Sequence, residues 1–316
     1  MDGVGDNDRV RHHVLEPGPG AVVDAYTHEI APALEINSGD RLTVRTLDAT
    51  GNLAPWRSLD QQRREMFPDG RGHCLAGPIS IVGARPGQHL AVQLHAMRPA
   101  ADGYTLAGTH DNWLNRRLGV HDEKPGFLSW QIDPSTATAT DQHGHSVGIA
   151  PFLGVLGTAP RESGEHSTIP PRTECGGNID CRDLVAGATV YLPVNVPGGY
   201  LFLGDGHAAQ GHGEVGGTAI ECGMTTELTV SVADETPVDA VHARAPSGRI
   251  TFGFSDDLNS AAGDALADML TWMQHLLGVS RPEALALAGV TVDLHITQIA
   301  NRTWGVHAIL PYSVAP

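Results

Sequence analysis

The sequence contains few aromatic residues and few cysteines. Aromatic side chains make up 5% of its 316 residues, and only four residues are cysteine. Four thiols in so long a chain do not form the disulfide framework of a small secreted domain, so reduced thiols and a cytoplasmic location are expected. No run approaches the roughly 18 apolar residues that a membrane-spanning helix needs. The first residues also lack the apolar core of a signal peptide.

Positive charge is scarce as well. Acidic residues number 36 against 20 basic ones, of which 19 are arginine and one is Lys124, and the formal net charge is −16. So negative a surface repels the phosphates of nucleic acids and the head groups of anionic lipids. Neither a nucleic acid nor a membrane surface is therefore expected as a partner.

Glycine and proline, by contrast, are abundant, with 38 and 21 residues. Glycine supplies positive φ and proline fixes φ at turns, so this composition predicts many short strands joined by turns. Alternating apolar residues predict paired strands in residues 33–51 and again in residues 77–97. Two such hairpin-like units favour an antiparallel sheet that is buried as a sandwich or a barrel.

The C-terminal part has a different pattern. Apolar residues recur at helical spacing through residues 256–277, where Ser255 can cap the helix and Gly278 can end it. A second, short helix is predicted to open at Ser280. An alternating stretch then predicts a strand with one apolar face, formed by Val290, Val292, Leu294 and Ile296.

Together these patterns predict a mainly β protein that is α+β overall. Residues 1–20 are expected to be a flexible leader, residues 21–235 an antiparallel sandwich or barrel body that carries the active site, and residues 236–316 an α/β part packed on that body. No internal repeat of 20–50 residues and no low-complexity linker separates these parts. We therefore expect them to pack as one unit.

One glycine-rich segment, residues 204–214, concentrates polar side chains that can carry chemistry. Asp205 and His207 share one face if the preceding strand continues to them, and the glycines allow Glu214 to turn towards them. Carboxylate oxygens and an imidazole nitrogen together suit Zn²⁺ or another divalent ion. The alternative is a hairpin tip whose Asp and His side chains are merely solvated.

Other polar residues stand at positions that are also open to two interpretations. Glu221 follows two apolar residues, which predicts a buried ligand or general base, or else a carboxylate paired with an arginine. Asn178 and Asp180 follow a glycine pair, whereas His73 and Asp48 each lie beside a turn. Each of these four is also typical of a side chain that only stabilises a turn.

Several common catalytic motifs are missing. The chain has no phosphate-binding glycine loop that ends in Lys-Ser/Thr, no dinucleotide fingerprint and no nucleophile elbow. Cys175 and Cys181 are too far apart in sequence for a zinc knuckle, and no further cysteine pair follows them. We expect both to be inert thiols.

Four motifs in fixed order resemble the acetamidase/formamidase family. They are GVLGTAP at 154–160, GGNIDCRDL at 176–184, TVYLPVNVPGG at 189–199 and GDGHAAQGHGEVGGTAIE at 204–221. Flanking strands extend the resemblance to roughly residues 28–312. His212 departs from the family pattern, which usually has Asp at that position, and the stretch between Gly51 and His73 matches poorly.

The resemblance implies hydrolysis of the C–N bond of a small linear carboxamide, such as formamide or acetamide, to a carboxylate and ammonia by metal-activated water. It further implies a divalent metal ion, foremost Zn²⁺ with Ca²⁺ or Mg²⁺ as alternatives, and a homo-oligomer such as a dimer. The residues in matching motifs receive these expected roles: metal ligands Asp48, His73, Asp180, Asp205, His207 and Glu214; catalytic residues His207, Glu214 and Glu221; substrate-binding residues Asn178 and Gln210.

The single lysine argues against other amidase mechanisms. Amidases of the Ser-Ser-Lys type and nitrilase-like Cys-Glu-Lys enzymes both need a catalytic lysine, whereas Lys124 lies between acidic residues and a proline in an expected exposed turn. Two alternatives stay open at this point. One is the same fold acting on a larger amide within a biosynthetic pathway, and the other is a non-catalytic β protein that binds a metal or another ligand.

Overall fold

The computed structural model describes residues 10–109 and 111–315, which form twenty strands and three helices. In chain order these are β1 His12–Leu15, β2 Val22–Val23, β3 Leu34–Ile36, β4 Arg41–Thr46, β5 Leu75–Ile81, β6 His89–Pro99, β7 Asp102–Ala107, α1 Trp113–Leu118, β8 Gly126–Asp133, β9 Thr138–Asp141, β10 Ser146–Gly148, β11 Phe152–Thr158, β12 Gly176–Asn178, β13 Thr189–Pro193, β14 Leu201–His207, β15 Glu221–Cys222, β16 Met224–Ala233, β17 His242–Ala245, β18 Gly248–Ser255, α2 Leu258–Leu277, α3 Arg281–Thr291, β19 Asp293–Gln298 and β20 Trp304–Leu310.

The strands form two large sheets. The first has nine strands in the order β1-β4-β16-β6-β13-β17-β18-β20-β19. The second has eleven, in which β10-β9-β8-β7-β15-β14-β11-β12 form a path and β5 joins β14 to β2 and β3. Among the described residues only the pairs β1–β4 and β3–β5 are parallel. The prediction of a mainly β, antiparallel and α+β protein is thus confirmed.

The apolar faces of the two sheets pack against each other as a sandwich. Leu42 and Leu90 from the first sheet and Ile79 and Leu203 from the second belong to one buried cluster. Strand β16 alternates between buried and half-buried residues, as expected for a sheet with one face in the core. Strands β11 and β14, which pair with each other in the second sheet, are buried along their whole length. A polar side chain at the end of β14 is therefore shielded from water.

The two C-terminal helices fit the sequence patterns with a shift at one end. Helix α2 packs on β18 and β20. Its N-cap is Asp257, which accepts a 2.8 Å hydrogen bond from the Ser260 amide, and not Ser255, so the helix begins two residues later than predicted. Gly278 ends the helix in the left-handed conformation, and Ser280 caps α3 through a capping box.

The strand predicted from Val290 onwards begins later than its alternating pattern indicated. Helix α3 continues through Thr291, so Val290 is a helical residue and is 81% exposed. Val292 is the C-cap of that helix, and β19 starts at the next residue. Leu294 and Ile296 do share a face of the strand, but both are more than 40% exposed on this edge of the sheet.

The structure differs from the predicted domain organisation near the N-terminus and at the boundary at residue 236. Residues 1–9 of the expected flexible leader lie outside the described residues, but His12–Leu15 pair in parallel with β4 and Leu15 is buried. The leader prediction is therefore wrong for these four residues. Strand β17 pairs with β13, so the first sheet runs through the predicted boundary at residue 236 without a break. Within the described residues, no helix is both long and apolar enough to cross a membrane.

Candidate active site

The polar end of β14 places Asp205 and His207 next to each other in the buried centre of the second sheet. Asp205 Oδ1 lies 3.3 Å from His207 Nε2. Both side chains are almost fully shielded from water. This confirms in space the shared face that the two-residue spacing predicted, although the predicted roles of both residues remain predictions.

Three carboxylate residues of the site have left-handed backbone conformations. The φ angles are 56° at Asp205, 51° at Asp180 and 43° at Glu214. Such a conformation costs a non-glycine residue about 1–3 kcal/mol, and it persists where the surrounding contacts impose it. For Asp180 that contact is visible, because the amides of Ile179 and Asp180 both donate to the Gly154 carbonyl. The backbone thus turns these carboxylates towards one point.

A chain of hydrogen bonds fixes the ring of His207. Gln210 Nε2 donates to the Asp180 carbonyl over 2.8 Å, which leaves Gln210 Oε1 facing His207 Nδ1 at 2.9 Å. An amide oxygen can only accept, so Nδ1 carries the proton and the neutral ring has its lone pair on Nε2. That nitrogen faces the carboxylates, in the arrangement of a metal-binding histidine held by an outer hydrogen bond.

Glu221 reaches the same nitrogen from the neighbouring strand. Residues 207 and 221 are directly opposed in the β14–β15 pair. Glu221 Oε1 accepts a 2.8 Å hydrogen bond from the Ala219 amide, and Oε2 lies 3.1 Å from His207 Nε2. One oxygen is therefore anchored by the backbone, whereas Oε2 has no hydrogen-bond partner.

Asp180 and Glu214 complete a group of four buried carboxylates. Asp180, Asp205 and His207 offer ligand atoms within 4.8 Å of one another, and so do His207, Glu214 and Glu221. The four carboxylate residues are between 1% and 6% exposed. Among the described residues their ion pairs are with histidine alone, since no arginine or lysine lies within ion-pairing distance.

These neighbours shift the pKa values strongly in opposite directions. Burial raises the pKa of Glu221 to about 7, although the His207 charge opposes the rise. Burial and the nearby acidic groups raise the pKa of both Asp180 and Glu214 well above the ordinary values. Burial works against ionisation of Asp205 and His207 too, but their mutual attraction lowers the pKa of Asp205 and, with Glu221, raises that of His207.

The geometry fits a divalent cation. Three of the atoms that face one another, Asp180 Oδ1, His207 Nε2 and Glu221 Oε2, are buried without a hydrogen-bond partner. Leaving such atoms unpaired is costly, and burying several carboxylates together without a cation is more so. Gly154 leaves room beside them, because a Cβ at this position would lie 2.4 Å from Asp205 Oδ2 and 2.7 Å from Asp180 Oδ1.

His73 lies at the edge of this group. Its Nε2 is 4.0 Å from Asp205 Oδ2, and its Nδ1 is 3.0 Å from the hydroxyl oxygen of Thr168. The Thr168 hydroxyl also accepts a hydrogen bond from the His73 amide, which fixes the ring from behind. Burial lowers the pKa of His73, so the ring is kept in the neutral form that can bind a metal.

Two predicted residues have other partners. Both Asp48 carboxylate oxygens accept hydrogen bonds from Asn52, at 3.0 Å each. These bonds stabilise the turn, as in the alternative interpretation of Asp48 given by the sequence. Asp48 does not belong to either group of converging ligand atoms around His207. Gln210 is hydrogen-bonded through its oxygen to His207 and through its nitrogen to the Asp180 carbonyl, and its expected contact with substrate stays a prediction.

Asn178 keeps an acceptor free. Its Nδ2 donates to the Ile169 carbonyl over 3.1 Å, whereas Oδ1 is buried and has no partner. It lies on β12, which pairs with β11 beside Gly154. The predicted contact with the substrate thus has an available atom.

A pocket of about 430 Å³ opens next to the carboxylate group. Gln210 and Glu214 reach it from the site, and Trp130 and Ile220 supply part of its apolar wall. The poorly matching loop between residues 52 and 72 lies beside Tyr104, the strand partner of Glu221. It packs Trp56 against Tyr104 and Phe127, each with ring centroids 4.9 Å apart, and does not line this pocket.

Sequence patterns missed Gly154 and Thr168. Gly154 interrupts the fully buried strand FLGVLGT, and a glycine inside a strand is a known sign of close approach by another group. Thr168 left no comparable signal, because its partner His73 is 95 residues away.

Comparison with known proteins agrees with this geometry. The model of the Acetamidase/Formamidase family matches residues 18–165 and 163–314. The acetamidase of Mycolicibacterium smegmatis is 41% identical over 218 residues, which is 51% of this chain and 53% of that one. This chain thus matches about half the length of that relative.

Two solved structures are similar over nearly the whole chain. A predicted acetamidase/formamidase from Thermoanaerobacter tengcongensis has a TM-score of 0.84 at 25% identity, covering 96% of both chains. The acetamidase of Bacillus halodurans has a TM-score of 0.81 at 26% identity, covering 95% of this chain and 97% of its own. Because the family model matches almost the whole length of this chain, the chain belongs to the acetamidase/formamidase family.

Proposed function

We propose that the protein hydrolyses the C–N bond of a small linear carboxamide to a carboxylate and ammonia at the carboxylate group around His207. Membership of the acetamidase/formamidase family assigns the reaction class. The observation that carries the location is the convergence of four buried carboxylates on His207, with unpartnered atoms facing one another.

We assign the cation to Asp205 and His207, whose ligand atoms converge with that of Asp180, and to Glu214, whose carboxylate converges with His207 and Glu221. A divalent ion held there would polarise the amide carbonyl and make water more acidic. Zn²⁺ is the proposed ion, because an imidazole lies among the ligands. Ca²⁺ and Mg²⁺ are the alternatives, since carboxylate oxygens predominate among the ligands. His73, whose Nε2 lies 4.0 Å from Asp205 Oδ2, is proposed as a further ligand that moves closer when the ion binds.

The remaining groups handle protons and the substrate. Glu221, with Oε1 held by the Ala219 amide, uses Oε2 to take the proton of the attacking water and then returns it to the nitrogen that leaves as ammonia. Asn178 Oδ1 accepts a hydrogen bond from the N–H₂ group of the substrate. Gln210 keeps His207 in the tautomer that the site needs.

An ammonia-release assay with formamide, acetamide, propionamide, butyramide and longer amides tests this function, with and without a chelator. The proposal expects turnover that is highest for the shortest amides and that stops in the chelator. Metal binding without release of ammonia from any amide would support a non-catalytic binding protein and contradict the proposal.

One observation favours a second candidate, the hydrolysis of a larger amide. The pocket of about 430 Å³ falls in the range of cavities that hold drug-sized ligands, whereas formamide and acetamide have only three and four heavy atoms. Turnover of longer amides with little release from formamide or acetamide would establish this alternative.

The substrate and the oligomeric state of this protein are proposals that go beyond the family assignment. A small amide is the proposed substrate, and a homodimer is the proposed assembly, as the sequence resemblance implies. Light scattering on the eluting protein measures the assembly directly, and a monomeric mass would contradict the dimer. A cytoplasmic location stays a prediction from the four free thiols.

A further inference from the structure

A second group of metal-binding side chains lies beside the active site. Cys181, Asp183 and His307 offer ligand atoms that all lie within 4.8 Å of one another. His212 approaches the same carboxylate, with Nε2 4.0 Å from Asp183 Oδ2. Together these four residues form what we call the cysteine–histidine cluster. None of them belongs to the groups that surround His207.

The spacing between Asp183 and His307 suits two ligands of one metal ion. His307 Nε2 lies 3.4 Å from Asp183 Oδ2, yet both atoms are buried and neither has a hydrogen-bond partner. The His307 side chain is completely buried. Two nitrogen or oxygen ligands at 2.0–2.1 Å from a tetrahedral Zn²⁺ are about 3.3 Å apart, so this pair already has the required spacing.

The other ring atoms hold His307 in place for that role. Its Nδ1 lies 2.7 Å from the Thr297 hydroxyl, an outer contact that orients the ring and leaves Nε2 for a ligand. His295 stacks on His307 and on His212, at centroid distances of 5.1 and 4.5 Å. It thus positions the ring of His212 beside the cluster.

We propose that Cys181, Asp183, His212 and His307 form a second metal site for Zn²⁺ or a similar thiophilic divalent ion. The thiol is the ligand that selects such an ion over Ca²⁺ or Mg²⁺, and binding releases its proton to solvent as the thiolate forms. His212 must move by about 1 Å, since its 4.0 Å separation from Asp183 exceeds the roughly 3.3–3.5 Å of bound ligands, whereas the Cys181 sulfur lies within 4.8 Å of the Asp183 and His307 ligand atoms.

The site would join two parts of the chain that are far apart in sequence. His212 lies two residues before Glu214, on the segment that also bonds to β19 through Gly213 and Thr297. His307 lies on β20, next to that strand. An ion bound to both histidines would fasten the Glu214 segment to the first sheet. The chain departs from the family pattern at His212, so this link is proposed for this protein rather than for the family.

Cobalt titration tests the proposal without any enzyme assay. Co²⁺ added to the chelator-treated protein gives a sulfur-to-cobalt charge-transfer absorption only if a thiolate binds it, and the ligands around His207 include no cysteine. We expect this absorption to saturate within about two equivalents in total, because the site around His207 also takes up Co²⁺, and to disappear on addition of Zn²⁺. His207→Ala should retain it, because that change empties only the first site.

Variants identify the ligands. Cys181→Ser should abolish the absorption, His212→Asn should weaken Co²⁺ binding at least tenfold, and Cys175→Ala is the matched control that should leave it unchanged. His212 is partly exposed, so its variant is informative even if the buried Cys181→Ser destabilises the fold. Absence of the absorption in the unmodified protein would overturn the proposal, as would an absorption that survives in Cys181→Ser.

Discussion

Replacing Gly154 by alanine adds a single methyl group at the point where the carboxylates converge. The new Cβ would lie 2.4 Å from Asp205 Oδ2, 2.7 Å from Asp180 Oδ1 and 2.9 Å from the ring of His207. Ordinary non-bonded separations are about 3.5 Å, so Asp205 must move by about 1 Å. A displacement of this size in a catalytic group costs about 10²-fold, so we expect kcat/KM to fall about 100-fold, or ~2.7 kcal/mol.

Gly126→Ala is the matched control. Gly126 is also a strand residue outside the left-handed region, and nothing lies within 4 Å of the position of its Cβ. Ammonia release from formamide and acetamide, metal content and thermal unfolding should be measured for both variants. The control should match the unmodified enzyme. A Gly154→Ala enzyme with unchanged kcat/KM and full metal content would refute the packing described around Asp205.

Three further predictions test roles and stability. Glu221→Gln should keep its metal while the rate falls roughly 10²–10⁴-fold, whereas Glu214→Gln should lose metal affinity; the reverse pattern in metal analysis would exchange the two roles. Lys124→Ala and Cys175→Ala should each stay within about tenfold of the original rate, or ~1.4 kcal/mol in barrier, and a trapped covalent acyl adduct would contradict the water mechanism. His242 is buried, which lowers its pKa from 6.5 to about 3, so the unfolded chain takes up a proton first as the pH falls. The contribution of His242 to stability is then complete above about pH 6.5 and should drop by about 2 kcal/mol at pH 5. Denaturant titrations should show that the stability lost between pH 7 and pH 5 is about 2 kcal/mol smaller in His242→Phe than in the unmodified protein.

Local patterns predicted most secondary structure and failed where two local signals compete. Ser255 and Asp257 can both cap α2, and only the packed structure decides for Asp257. Val290 and Val292 continue the alternation of the following strand, yet the preceding capping box starts a helix that extends across Val290. The periodicity of apolar residues alone does not give the boundary between one secondary-structure element and the next.

The first site was largely predictable, because much of it lies in one short segment. Asp205, His207 and Glu214 are close in sequence, and glycines between them permit the turn that brings them together. The cysteine–histidine cluster was not predictable in this way. Cys181 and His307 are separated by more than a hundred residues and meet only because the loop after β12 packs against β20. The sequence therefore predicted an inert thiol at Cys181, where we now propose a metal ligand.

The central claim is that a divalent ion bound by Asp205, His207 and Glu214 is needed for amide hydrolysis. The most direct measurement follows ammonia release and metal content together while the enzyme is stripped by a chelator and then reconstituted with Zn²⁺, Ca²⁺ or Mg²⁺. We expect activity to vanish with the metal and to return with one of these ions in unmodified enzyme, but not in His207→Ala. A fully active enzyme without bound metal would contradict the claim.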